Sequence, residues 1–245
     1  MVLNQFVIPF CIGRHKFREL SSNLFPAKVR CILISRFFSR QRKVADRAGF
    51  RDFIIAESAF MAQKATIEYC RARAGANAVK LFEEDAFLQA LARSTWESLA
   101  AVLSDALTVA EGELRRHAGG GHALLHLTLA DLYRDCLGAH PRPAHRPEGW
   151  ADAEAAFAMR LAKAQVADPQ PAERIARESA ARVFALLPIH DSLRRLDEEI
   201  VSGNLRFAMI GFQEKLVRRV DIPAVAAVLL AEAATCAGSA SAAGR

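Results

Sequence analysis

Apolar side chains recur at helical spacing in one segment of this chain after another. Over residues 51–73, Phe53, Ala56, Phe60, Ile67 and Cys70 keep a seven-residue rhythm interrupted by Gln63, which predicts a helix with one buried face. Gly75 and Asn77 tolerate the left-handed backbone found just past helix ends, so a turn belongs there. Phe82, Phe87, Leu88 and Leu91 mark a shorter helix, and the acids Glu83, Glu84 and Asp85 suit the positive end of its dipole. Ser94-Thr95-Trp96-Glu97 matches a capping box, in which Ser94 accepts a backbone N–H and Glu97 reaches back. A new helix is therefore predicted from near Thr95, through Trp96, Leu99, Leu103, Ala106, Ala110 and Leu114, to the stop at Gly119-Gly120-Gly121.

A further helix is predicted from His122 to Leu137. Residues 138–149 hold Pro141, Pro143 and Pro147, whose fixed φ and missing N–H exclude a regular helix, so this stretch is either an interdomain linker or a loop within one bundle. Beyond it, Trp150, Ala153, Phe157, Leu161 and Ala164 form one stripe, and Asp168-Pro169 reads as a cap followed by a first-turn proline. Ile175, Ser179, Val183 and Leu186 line the next helix as far as Pro188. Ile189, Leu193, Leu196 and Ile200 predict one helix ended by Gly203, and Leu205, Met209, Phe212 and Leu216 a second, the two forming an antiparallel hairpin. Asp221 and Pro223 open the last helix, with a disordered tail expected over 238–245.

No segment alternates with period two, so strands have no source. The predicted class is all-α: a multi-helix bundle of about eight or nine amphipathic helices, packed as one bundle or two sub-bundles. The helical domain is expected over 46–237, with the proline-rich loop at 138–149 inside it.

Charge changes the picture at the N-terminus. The first 43 residues contain nine Lys and Arg against one acid, Glu19, so they carry +8 while the whole chain carries +6. The remaining residues are nearly balanced, which leaves no basic face on the helical body for nucleic acid. Residues 1–45 read as a basic extension with three expected roles: a disordered or mis-assigned start with the true one near Val44 or Met61, a basic arm for nucleic acid or anionic lipid, or a targeting segment. A secretory signal would place its positive charge before the apolar run, whereas Phe6–Gly13 precedes the basic residues. Five scattered cysteines without C-x-x-C point to reduced thiols and a cytoplasmic setting. The alanine-rich stretch 222–238 includes Glu232 and is too weakly apolar for a membrane span.

Candidate chemistry is sparse. Five of seven histidines fall within residues 117–145. His122 and His126, four apart on a predicted helix, could share a divalent metal with His117, Glu113 or Asp131, although Leu129 and Tyr133 on the same face favour ordinary packing. His140 and His145 are expected to be exposed in the proline loop. Trp96, Trp150, Phe157, Phe184, Phe207 and Phe212 are expected in the core. No G-x-S-x-G, phosphate-loop, dinucleotide or H-E-x-x-H pattern occurs. These observations favour a non-catalytic interaction, adaptor or assembly protein that binds an unidentified protein partner or a second copy of itself. The alternatives are a ligand- or metal-binding protein using the His122/His126 face, which extends to an enzyme, and a transcriptional regulator using residues 1–45.

Overall fold

The computed structural model describes residues 42–242, with side chains to residue 235. From Lys43 onwards the described residues belong to one compact unit. Helix α1 (Arg47–Gln63) continues through a π-helical turn, Lys64–Glu68, into α2 (Tyr69–Ala74). The one-turn α3 (Ala78–Leu81) leads to the long α4 (Asp85–Arg115). Then follow α5 (His122–Gly138), α6 (Ala151–Gln165), α7 (Ala172–Leu186), the one-turn α8 (Asp191–Arg194), α9 (Glu198–Arg219) and α10 (Ile222–Ala242). The all-α bundle is thus observed. No named strand forms among the described residues; one isolated parallel bridge joins Val44 to Val220, through Val44 N–H to the Arg219 carbonyl (2.9 Å) and Asp221 N–H to the Val44 carbonyl (2.8 Å).

Helix α4 is the axis of the bundle: α1, α5, α6, α7, α9 and α10 all pack against it. Its 31 residues make a rod about 46 Å long. From Ser98 to Leu103 and from Asp105 to Leu114 every side chain is buried, the signature of a helix enclosed on all sides. Alanine, serine and glycine at many of these positions let neighbours approach closely. At Gly112 an added Cβ would lie 3.0 Å from the Pro169 ring.

The capping box does not start a helix, because α4 begins at Asp85 and runs straight through it. Thr95 Oγ1 instead donates to the Leu91 carbonyl four residues back (2.8 Å) and shares a hydrogen bond with Thr66 (3.1 Å), which satisfies the hydroxyl inside a continuous helix. Glu97 turns away towards the proline loop. The predicted stop at Gly203 is also absent. Helix α9 passes through Gly203 and Asn204 because Val201, Leu205, Met209, Phe212 and Leu216 form one buried stripe against α7 and α4. Burial at roughly 1.5–3 kcal/mol per large side chain outweighs about 1 kcal/mol for an interior glycine.

Two further registers differ. On α1 the buried line is Phe50, Ile54, Ser58, Met61 and Ala62, so Ala56 and Phe60 face outwards. Helix α7 starts at Ala172 after Pro171, which leaves Asp168-Pro169 in the preceding connection. The last helix begins at Ile222 with Asp221 Oδ1 accepting from Ala224 N–H (3.3 Å), and continues past Gly238 to Ala242.

One core cluster draws on both sides of the proline loop, from Phe50, Leu107 and Leu132 to Phe157, Met209 and Leu229. A smaller cluster of Cys70, Phe87, Leu91, Leu187, Ile189 and Val201 lies apart from it. No helix among the described residues is long and apolar enough to cross a membrane.

Candidate functional site

The histidine face lies at the start of α5. His117 and His122 are exposed and His126 half-buried. The Nδ1 atoms of His122 and His126 each face a carbonyl of the preceding turn, Gly119 (3.1 Å) and Ala123 (2.5 Å), so those nitrogens carry the proton. Glu113 accepts from Gln213 (2.7 Å) and Arg116 (2.9 Å), and Asp131 from Arg134 (2.8 Å), so both acids near the face are already taken by side chains. Among the described residues no group of three or more His, Cys, Asp or Glu is placed to hold a metal ion.

His140 and His145 are not free in the loop. The His140 ring packs edge-on against Trp96, with centroids 5.5 Å apart, and burial lowers its pKa. His145 Nε2 lies 3.0 Å from Glu97 Oε1. Arg146 grips the same carboxylate with two hydrogen bonds, Nε at 2.6 Å and Nη2 at 2.8 Å, stacks its guanidinium over Trp150 (4.5 Å), and reaches Asp152 (2.5 Å). Arg182 of α7 approaches the other Glu97 oxygen at 3.6 Å. Burial alone would raise the Glu97 pKa, but Arg146 and His145 more than offset it and hold the carboxyl below its ordinary value.

Glu97 is one of four acids buried on α4. Asp105, fully enclosed, pairs with Arg160 (2.6 Å); Glu111 takes a two-bond grip from Arg115 (2.7 and 2.8 Å) and a hydrogen bond from Gln165 (2.9 Å); Glu113 is held as above. Three outer elements thus supply polar partners to the central helix: the proline loop to Glu97, α6 to Asp105 and Glu111, and α9 to Glu113. Burial pushes the Asp105 carboxyl up to about 6, against the opposing pull of Arg160. The sequence reading missed this row. Its signal was present as acids spaced among the apolar and small residues of the long α4 segment, where buried charge survives only when paired.

A cleft of about 270 Å³ opens between α4, α6, α7 and the 166–171 connection. Arg115 and Arg160 line it, but both guanidiniums are bound to protein groups: Arg115 also donates to the Ala164 and Ala167 carbonyls, and Arg160 to Ser104 and the Ile175 carbonyl. Arg174 donates to Gln170 (3.0 Å), so the cleft offers an anionic ligand little beyond Lys163, and its volume falls below the roughly 300–1,000 Å³ of ordinary small-molecule sites.

The least explained surface lies on α8, α9 and the residues between them. Leu193 (56% exposed) on α8 and Leu196 (81%) in the turn after it face outwards, as do Ile200 (58%) and Phe207 (76%) on the side of α9 opposite its buried stripe. The core placement expected for Phe207 is thus overturned: its neighbours in the core register are Leu205, Met209 and Phe212, and Phe207 falls on the far side of the helix. Most of the basic segment, residues 1–41, lies outside the described residues. No protein-family model, characterised protein or solved structure matches the chain.

Proposed function

We propose that the chain is a non-catalytic helical interaction protein whose contact surface is the outward face of α9 with the adjoining α8 segment. The observation that carries this reading is the exposure of Ile200 and Phe207 on one side of the well-packed helix α9, continued by Leu193 and Leu196 in the segment that leads into it. Single exposed apolar residues are ordinary; several large ones gathered in one segment mark a contact site. Two features add support. The four acids buried on α4 are each engaged by a basic protein side chain in the manner of structural ion pairs, and Arg115 and Arg160 of the cleft described above are already occupied.

A photo-reactive phenylalanine analogue at position 207 of the full-length chain, irradiated in cells, tests the reading. Discrete protein adducts are expected from position 207 and not from the exposed Ala158 of α6. Equal, background-level capture at both positions would overturn it.

A further inference from the structure

We propose that the outer face of α9 is a homodimer interface, on which two copies of this chain pair their α9 helices antiparallel about a twofold axis at Phe207. The proposal rests on the reading of this face as the contact surface and names its occupant. A twofold interface must match itself, residue i of one copy meeting j of the other and j meeting i. The outer face of α9 meets that condition. Gly203 and Gly211 lie four residues to either side of Phe207, and Ile200 and Glu214 seven. Turning one helix end for end about Phe207 therefore sets Gly203 against Gly211 and Ile200 against the stem of Glu214.

The glycines give the phenyl rings somewhere to go. A Cβ added at Gly203 or Gly211 would have no atom within 4 Å, so open space flanks Phe207 on both sides. Two rings meeting at the axis can each settle over the bare backbone of the facing helix, the knob-and-hole geometry of paired helices. On the monomer these two glycines only weaken the helix, and their conformational freedom is unused because neither has positive φ.

Charge sets the direction. Helix α9 opens with Glu198 and Glu199 and closes with Arg218 and Arg219, all four exposed and none in an ion pair among the described residues. The neighbouring Asp197 is occupied by Tyr69 (2.9 Å) and Arg73 (3.1 Å), and Lys215 by Glu57 (2.7 Å). Arg218 lies on the Phe207 face and Glu199 flanks it, whereas Glu198 and Arg219 point away from it, so antiparallel pairing brings each Glu199 towards the partner's Arg218, twice per dimer. Parallel pairing would set like charges together. The 22 residues of α9 span about 33 Å, so each copy contributes one helix face, and a weak, concentration-dependent dimer is expected.

Sedimentation of the full chain from about 1 to 300 μM at low salt tests this. Wild type is expected to pass from monomer to dimer, and Phe207→Glu to weaken the association at least about tenfold with unchanged circular dichroism and melting. Glu198→Arg/Glu199→Arg and Arg218→Glu/Arg219→Glu should each dimerise poorly alone, yet form a 1:1 heterodimer when mixed, because both junctions then regain opposite charges. A dimer that survives Phe207→Glu, or charge variants that fail to rescue one another while folding normally, overturns the proposal. A wild-type chain that stays monomeric to 300 μM overturns it too. In that event crosslinking from position 207 separates the two claims: adducts with another protein preserve the interaction reading, and none sinks both.

Discussion

A carboxylate inside a protein reports on its partners, and the four on α4 report differently. Asp105 prefers its proton in the folded state, since burial lifts its pKa to about 6. A raised carboxyl pKa contributes stability that is present at low pH and lost as pH rises through the window from about 4 to about 6. The difference in unfolding free energy between wild type and Asp105→Asn should therefore shrink as pH rises across that window and level off above it, as urea titrations at stepped pH would show. Glu97 behaves in the opposite sense. Its pKa is held down by Arg146 and His145, so its contribution is present above the ordinary carboxyl range and disappears as pH falls through the lowered value. Arg146→Ala leaves that carboxylate buried with His145 and the more distant Arg182, and should cost about 3 kcal/mol at neutral pH by denaturant unfolding. Ser94 makes the third residue-scale test. A genuine N-cap loses about 1 kcal/mol on replacement by alanine, whereas the Ser94 Oγ is buried without a hydrogen-bond partner. Ser94→Ala should leave the melting temperature unchanged or raise it; a clear drop would mean that a helix does start there.

At the scale of elements, the sequence was most legible where spacing alone decides. The stripes of α6 and α7, the stop at Gly119–Gly121, the acids ahead of α4 and the opening of α10 at Asp221 all appear where the apolar rhythm and turn residues put them. Local signals failed where tertiary packing outbid them. Ser94–Glu97 satisfies a capping pattern, but its residues are needed inside α4, and Gly203 looks like a terminus until burial on both sides carries α9 through it. Phe207 was misplaced because aromatic residues default to the core, and only the register of α9 against α7 reveals which face it occupies. The partners of Glu97 and Asp105 were illegible for a different reason: Arg146 and Arg160 lie far along the chain from them, and no spacing rule connects them. The close approach of α4 to the 166–171 connection gives an element-scale test. Gly112→Val should destabilise by about 1–3 kcal/mol, because its Cβ would already press on the Pro169 ring at 3.0 Å. Thermal melting of that variant beside Gly138→Ala, where the space is open, separates crowding from helix propensity.

For the whole molecule, the organising fact is that one helix is wrapped by six others while a second, α9, is apolar on two sides. The first arrangement explains why the bundle needs buried charge at all. An enclosed helix with only apolar side chains could slide or rotate against its neighbours, whereas each acid on α4 accepts a partner from one particular outer element. The second arrangement explains where association should occur. Val44 ties both themes to the chain's own history. The first residues of the helical body are fastened beside the junction of α9 and α10, with Lys43 and the Val217 carbonyl 174 residues apart in sequence and 3.3 Å apart in space. During synthesis at roughly 5–20 residues per second, that early-made end must wait about 10–35 s for its seat to emerge. Until then α4 lacks α9 and α10, its last two walls, so the nascent chain carries an open core until they emerge. The clasp thus acts as a timer: folding can begin early, but it can close only once α9 and α10 have been made.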